Sequence, residues 1–341
     1  MLLKRISKLN VYSFFSIGCI LALGLMTIIG CSSGGDGGAA PAPAPAPISY
    51  TGLTTQASVD TDVKAQALAA GAFGAGRTGA VINGIGAVET GTDEHIISFR
   101  TLKVTQALED ALLQVDLSSL YNGPFVGATQ STGDIRVDGS CGGYAIYNIT
   151  YDDVSGDFSG SFDFNNLLDC GGVPITGKTT IKGRLDLASG TFITITFTFT
   201  NLTDGSSTMS GYIYMDFIGS PTIVNFDGKL RIDSTGKVYW ANDYNMEISE
   251  GFDIGSYVEV EISSGKYYDP DYGYVDVLTL APFRINDGDE YPSNGILLVT
   301  GNNNTEARLE ALDADTCQIT ADTDGDLVYD YDSGVLNWTD L

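Results

Sequence analysis

The 341-residue sequence predicts an all-β protein: a long antiparallel meander curled into a barrel-like or half-barrel body, with one or two short helices near its start. Three observations support this fold class. The chain has 33 Asp but only 10 Glu, and Asp favours turns whereas Glu favours helices. From about residue 135 onward apolar and polar residues alternate with period two, which is typical of strands with one buried face. A recurring Asp/Ser/Gly turn signal separates the alternating runs.

The N-terminus has the layout of a secretory signal peptide. Lys4, Arg5 and Lys8 precede an uncharged apolar run from Val11 to Ile29. A plain membrane-spanning helix is the alternative interpretation, because a run of this length could just cross a bilayer.

The run ends in Ile28-Ile29-Gly30-Cys31, which resembles the lipobox signal of bacterial lipoproteins. The resemblance implies that the chain is cut before Cys31, that diacylglycerol is attached to the Cys31 thiol, and that a fatty acid such as palmitate acylates its new amine. Ser32 stands where an Asp would resemble an inner-membrane retention signal, so the resemblance implies anchoring in the outer membrane. Whether the body faces the periplasm or the exterior stays open.

Residues 31–47 predict a lipidated cysteine followed by a spacer. The Gly-rich stretch and the Pro-Ala repeat before Ile48 favour extended polyproline II, with a reach of roughly 55 Å at most. We expect a helix-containing N-terminal part over residues 48–134 and an antiparallel β body over residues 135–341.

The charge balance excludes several functions. With 17 basic and 43 acidic side chains the formal net charge is −26, so no basic stripe is available for nucleic acid, and an anionic lipid surface is disfavoured as a partner. Removing the signal peptide makes the charge more negative by three. The single histidine, His95, most simply lies at the surface or caps a helix. We find no catalytic constellation and expect a protein that is not an enzyme.

Two segments predict helices and two predict long strands. Val59 to Ala70 is Ala-rich and ends at glycines, and Phe99 to Val115 places apolar residues near one face. Phe192 to Thr200 alternates apolar residues with threonines, and the segment after it repeats the pattern.

Fourteen to sixteen strand candidates lie between residues 135 and 338, too many for a flat sheet. A transmembrane barrel would alternate similarly, but a lipid anchor and the lack of a terminal aromatic residue argue against it.

A recurring signal, an Asp followed by a Ser-Gly or Thr-Gly pair, predicts hairpin turns. We place such turns at Asp152…Gly156, Asp186…Gly190, Asp233…Gly236 and Asp330…Gly334. A weak internal repeat matches the hexapeptide from Phe162 to Leu167 with the one from Phe197 to Leu202.

Three cysteines remain after cleavage and acylation. Cys141 and Cys170 each begin a Cys-Gly-Gly triplet and bracket one predicted hairpin, so in an oxidising compartment we expect a disulfide between them. Cys317 is then left over, and its alternating context favours a buried, inert thiol.

The densest acidic segment is Asp322-Thr-Asp324-Gly-Asp326. It resembles the start of a calcium loop of the EF-hand or thrombospondin-repeat kind, whose ligands occupy positions one, three and five. The resemblance stops there, because Leu327 stands where those families have Gly, and Ser333 where EF-hands have Glu. A two-residue Asp324-Gly325 hairpin turn between strands 317–322 and 326–331 is the favoured alternative.

Three other motifs are weaker indications of function. Four tyrosines between Lys266 and Tyr274 could stack on sugars, but tyrosine is also a good strand residue. A hydrolase-like Gly30…Gly34 pattern straddles the cleavage site, and a dinucleotide-like Gly74…Gly79 pattern follows a helix instead of opening one. We interpret both patterns as chance.

The tail from Tyr267 to Leu341, with its YYDPDYGYVDV, PFRINDGDEYPSNG and YDSGVLNW strings, resembles a family of large β-rich bacterial envelope lipoproteins. That resemblance implies no activity and no catalytic residues. The sequence therefore favours a non-enzymatic binding or structural lipoprotein. Its alternatives are a half-barrel carrier of lipid or another apolar ligand, and a protein that binds or acts on glycans.

Overall fold

The computed structural model describes residues 46–81, 129–131, 133–168, 173–187, 192–251 and 257–341. Within these ranges the chain forms one long helix, α1 (Asp62–Val81), and fifteen strands. The strands are β1 (Thr129–Ser131), β2 (Ile135–Asp138), β3 (Gly142–Asp152), β4 (Asp157–Leu168), β5 (Ile175–Leu185), β6 (Phe192–Thr203), β7 (Ser207–Asp216), β8 (Thr222–Ile232), β9 (Val238–Gly251), β10 (Tyr257–Asp269), β11 (Gly273–Asn286), β12 (Asn294–Thr300), β13 (Glu306–Ala311), β14 (Thr316–Asp322) and β15 (Tyr331–Asn337).

All fifteen strands belong to one antiparallel sheet, which confirms the predicted fold class. From β3 to β15 each strand pairs with its sequence neighbours, while β1 and β2 both pair with β3. No ladder among the described strands joins β15 to β1, so the sheet is a curled meander that stays open. The predicted alternation holds in β6, where Ile195, Phe197 and Phe199 are buried and Thr198 is exposed.

The two copies of the internal repeat are two copies of one backbone device. Asn166 and Asn201 both have φ of +49° and both lie at a β-bulge. Each Asn pairs with a hydroxyl of the next strand, Asn166 with Thr176 and Asn201 with Ser210. The hydroxyl accepts a hydrogen bond from the Asn backbone N–H and donates one to the Asn side-chain oxygen. Because bulges bend a strand and increase its twist, these two positions help the sheet to curl.

The helix is longer than the sequence predicts and is buried on nearly all sides. It runs eleven residues beyond Ala70, through Gly71, Gly74, Gly76 and Gly79. Three of these glycines, Gly71, Gly76 and Gly79, lie where the sheet is too close for a side chain. A Cβ on Gly71 would lie 2.2 Å from the Tyr267 hydroxyl, and one on Gly79 would lie 2.4 Å from the methyl carbon of Met246.

The sheet curls around this helix. Strands β8, β9 and β10 contact α1 from one side, and β12, β13 and β14 contact it from the other. The Tyr244 hydroxyl donates to the Ala72 carbonyl (3.3 Å), which ties the helix backbone to the sheet. The helix, which is one of the predicted helices near the start of the chain, therefore occupies the concave side of β8–β14. The second predicted helix, Phe99–Val115, lies outside the described residues.

The segment before α1 crosses the outside of the sheet and then turns inward. Asn201 donates to the Ala46 carbonyl (2.8 Å), and the Ile48 backbone N–H donates to Ser210 Oγ (3.4 Å). Gln56 then forms a single bridge with Tyr274 at the start of β11, and the Val59 backbone N–H donates to Thr305 Oγ1 (2.8 Å) between β12 and β13.

The predicted turn signals divide into two kinds. Asp152 accepts backbone hydrogen bonds from Val154 and Ser155, and Gly156 has a φ of +77°, as a hairpin turn requires. Asp233…Gly236 forms the β8–β9 turn, while Asp186…Gly190 lies partly outside the described residues. The prediction for Asp330…Gly334 was wrong. Gly334 lies inside β15, where the ladder with β14 shifts register, because the preceding loop is longer than expected.

We predict that Gly71→Ala destabilises the protein, although the same change in an exposed helix stabilises by about 1 kcal/mol. The added Cβ meets the Tyr267 ring in a packed interior, so the free energy of unfolding should fall by about 1–3 kcal/mol. Urea denaturation measures the change. Val63→Ala, at a 66% exposed site near the start of α1, is the matched control and should change stability by less than about 0.5 kcal/mol. A neutral or stabilising Gly71→Ala would contradict the close contact.

Candidate functional site

The acidic segment predicted to bind calcium forms the loop between β14 and β15. The predicted two-residue hairpin is wrong, since β14 ends at Asp322 and β15 begins only at Tyr331. Residues 326–330 of the predicted second strand are instead loop. The Tyr329 hydroxyl hydrogen-bonds Glu306 on β13, and Asp330 accepts hydrogen bonds from the backbone N–H and side chain of Thr323. These contacts hold residues 323–330 away from a short hairpin.

The loop brings the three predicted ligands together. One carboxylate oxygen from each of Asp322, Asp324 and Asp326 lies within 4.8 Å of the others. Asp322 is fully buried, and its two oxygens accept the backbone N–H groups of Gly325 (2.8 Å) and Leu327 (2.7 Å). Asp324 and Asp326 are exposed. The buried carboxylate therefore shapes the loop, and the two exposed ones complete an acidic cluster on it.

The electrostatics of the loop show crowding of like charges. The backbone N–H of Asp326 lowers the pKa of the Asp324 carboxyl, but the carboxylates of Asp326, Asp330 and Asp322, with some desolvation, raise it more, so the net direction is upward. The side-chain and backbone hydrogen bonds from Thr323 lower the pKa of Asp330 instead. A divalent cation would relieve the crowding at Asp324.

The loop fits a weak calcium site in part. Leu327 has a φ of +70°, so it adopts the left-handed backbone for which calcium loops use glycine. Ser333 cannot be the twelfth ligand, because it lies on β15 and its hydroxyl accepts the Ile319 backbone N–H (2.9 Å). Calcium takes six to eight oxygen ligands. Three carboxylates thus supply about half a shell, and water would have to supply the rest.

The tyrosine-rich segment divides between the two faces of the sheet. Tyr267 is buried against Gly71 of α1. Tyr268 and Tyr274 lie on the outer face, in register with Trp240 on β9 and Lys229 on β8. The four side chains form a row across four strands, which we call the aromatic ladder.

The aromatic ladder is closely packed. Trp240 stacks on Tyr268 with ring centroids 4.5 Å apart, and the Lys229 ammonium lies 4.5 Å from the Trp240 ring. Tyr50, from the segment before α1, contacts both Trp240 (5.8 Å) and Tyr268 (5.5 Å). Because these rings contact each other and a lysine, the arrangement favours a structural role over an open platform for sugar stacking.

An open hollow of about 280 Å³ lies where the β11–β12 loop meets the C-terminus, and the sequence did not predict it. It is lined by Gly288, Asp289, Glu290, Tyr291, Ala314, Asp315, Trp338 and Thr339. The rings of Tyr291 and Trp338 are nearly parallel with centroids 5.6 Å apart, and the Arg77 guanidinium lies 4.3 Å from the Tyr291 centroid. Asp289 and Asp315 give the hollow an acidic rim, which suits a positively charged group.

The cysteines follow the predicted division as far as the structure describes them. Cys317 is a free, fully buried thiol, and burial raises its pKa to about 12, so it is a poor nucleophile. The Cys141 backbone N–H donates to the Leu168 carbonyl (2.9 Å), two residues before Cys170. Cys170 itself lies outside the described residues, as do Cys31 and His95, so the pairing stays a prediction. The Gly74…Gly79 pattern lies inside α1 and cannot form a phosphate-binding loop.

No family model, curated protein or solved structure matches the chain. Among the described residues, no helix is long and apolar enough to span a bilayer.

We predict that calcium stabilises the protein through the acidic cluster. For an extracellular-type affinity of about 10⁻⁴–10⁻³ M, about 10 mM calcium should raise the free energy of unfolding by roughly 1.4–2.7 kcal/mol. Thermal melts with equal magnesium control for general screening of the negative charge. Asp324→Asn should abolish the difference between the two ions. Equal shifts with both ions, unchanged in the variant, would mean that no calcium site exists.

We predict that peptide mapping without reductant finds Cys141 joined to Cys170 and Cys317 free. Burial should also protect Cys317 from alkylation in the folded protein and expose it only after unfolding. A bond from Cys317 to either other cysteine would contradict the strand pairing around β14.

Proposed function

We propose that this chain is a lipoprotein anchored in the outer membrane through Cys31 and that it serves as a non-enzymatic binding or structural protein of the envelope. Support for the anchor comes from the lipobox-like Ile28–Cys31 and the Pro-Ala spacer. Support for the non-enzymatic role comes mainly from α1, which fills the concave side of β8–β14. Because α1 fills the interior in this region, we expect a binding partner to contact the outer surface.

A carrier for lipid or another apolar molecule is less well supported. The apolar space beside α1, between Phe73, Val260, Ile262 and Phe283, measures about 30 Å³, room for no more than a few water molecules. A lipid carrier needs a cavity at least tenfold larger. The small side chains of α1 let the strands close onto the helix instead of leaving such a cavity.

Glycan chemistry is likewise less well supported. A glycoside hydrolase needs two carboxylates about 5–10 Å apart across a cleft. The exposed carboxylates Asp324 and Asp326 both belong to the β14–β15 loop, with one oxygen of each within 4.8 Å of the other, and so do not face each other across a cleft. The outer-face carboxylates Asp227 and Asp276 are engaged, the first by Trp240 and Asn242 and the second by Lys266 and Gln56. These groups stabilise the outer face.

We predict that Cys31→Ser releases the protein from the outer membrane. Without the thiol no diacylglycerol is attached, so the chain should become soluble or stay uncleaved in the inner membrane. Membrane fractionation of the variant, compared with Ser32→Ala as the matched control, measures this. If the variant still fractionated with the outer membrane, the folded body itself would have to hold it there.

A further inference from the structure

The outer face of β4, β5 and β6 differs from the rest of this acidic protein. Along β5 the side chains that point outward are all exposed: Thr176, Lys178, Thr180, Lys182 and Arg184. In the ladder they lie between serines of β4 and the row of threonines on β6. We call this surface the lysine–threonine face.

Its basic groups are available for an external partner. Neither Lys178 nor Lys182 forms an ion pair with any described residue, although Asp163 lies opposite Lys178 in the β4–β5 ladder. Arg184 donates from Nε to the Ser155 carbonyl (3.1 Å), with Asp157 opposite it. The face thus has a small positive excess on a chain whose net charge is −26.

The N-terminal chain reaches the body beside this face. Ala46 and Ile48 are held by Asn201 on β6 and Ser210 on β7. Thr200, the neighbour of Asn201, pairs directly with Lys178. Only fourteen residues separate Cys31 from Ala46, a distance of about 50 Å at full extension. A lipid on Cys31 therefore keeps this part of the body near the membrane.

From the position of the N-terminal chain and the charge difference between faces, we infer that the lysine–threonine face is the surface that the anchored protein turns toward the phosphate headgroups of anionic lipids. This inference depends on the proposed lipid anchor. Lys178 and Lys182 attract the phosphates, and the surrounding hydroxyls can donate hydrogen bonds to them.

The negative net charge does not oppose this orientation. Net charge governs whether a free protein accumulates at an anionic surface, whereas the tether confines this body to within about 50 Å of the surface, so that charge mainly decides which face it presents when it approaches. Charges act over about 8 Å at physiological ionic strength, so carboxylates on the far side contribute little. Turning any strongly acidic face to the lipid would cost more than turning this one.

The test uses the full-length protein purified from cell membranes, reconstituted with two kinds of vesicle, pure phosphatidylcholine and phosphatidylcholine with about one third phosphatidylglycerol. Hydroxyl-radical footprinting reads the accessibility of Tyr212, which is 38% exposed on the outer face of β7, two strands from Lys178. Leu280, 49% exposed on β11, is the internal control. In anionic vesicles the oxidation rate of Tyr212 should fall about fivefold, the ratio that corresponds to the attraction of one lysine to an anionic surface. The rate at Leu280 should not change.

Two variants assign the effect to the face. Lys178→Gln with Lys182→Gln should remove the protection of Tyr212, whereas Lys237→Gln, which removes an exposed lysine from the β8–β9 turn, should preserve it. Salt at about 0.5 M, which shortens the screening length to about 4 Å, should also remove it. Circular dichroism of the double variant checks that it is folded.

The possible outcomes distinguish failure of the lipid anchor from failure of the proposed orientation. Protein that does not float with either vesicle contradicts the lipid anchor itself. Protein that floats with both, but shows equal Tyr212 oxidation in anionic and neutral vesicles, retains the anchor and overturns the orientation. Protection that survives the double variant would also overturn it.

Discussion

The curvature of the sheet depends on how closely α1 approaches its concave side. At Gly71, Gly76 and Gly79 the nearest atoms of the opposing strands occupy the space that a Cβ would take. Leu68, Ala69, Ala72 and Ala75 are buried at the same time, so the helix is enclosed on several faces at once. A helix with larger side chains would force the strands apart and open the curl. The diameter of the helix and the curvature of β8–β14 therefore determine each other.

Because α1 fills the concave side of β8–β14, the remaining side chains of these strands lie on the outer surface of the sheet. One part of the outer surface is stabilised by the stacked rings of the aromatic ladder. Hydrogen bonds among its polar neighbours add to this, and these neighbours include Asp227, Asn242, Lys266 and Asp276. The segment before α1 crosses that part through Tyr50, whose hydroxyl donates to the Asp269 carbonyl (3.0 Å). The same segment that covers the outer face thus leads into the helix that fills the inner one, and the two faces are stabilised by a continuous piece of chain.

Sequence reasoning succeeded where the information is local. Alternation in β6 reveals its two faces because each residue's environment repeats every second position, and the Asn166 and Asn201 hexapeptides are similar because the same bulge needs the same residues. The C-terminal half of α1 could not be predicted, since glycine disfavours an isolated helix and the compensating contacts come from strands far along the chain. The β14–β15 loop could not be predicted either, because contacts of Tyr329 and Asp330 outweigh a strong local turn signal. The acidic cluster is contiguous in sequence and could be predicted, whereas the hollow around Tyr291 and Trp338 is built from three separate segments.

The connectivity of the sheet has a consequence for the order of folding. From β3 onward each strand pairs with the strand that precedes it, so these ladders can form hairpin by hairpin from the N-terminal side as the chain is synthesised. The helix is the exception, because it emerges early while its partners include β12, β13 and β14 near the C-terminus. A Gly- and Ala-rich helix is only marginally stable in water on its own. Complete burial of α1 therefore has to wait until the strands near the C-terminus are available to fold onto it.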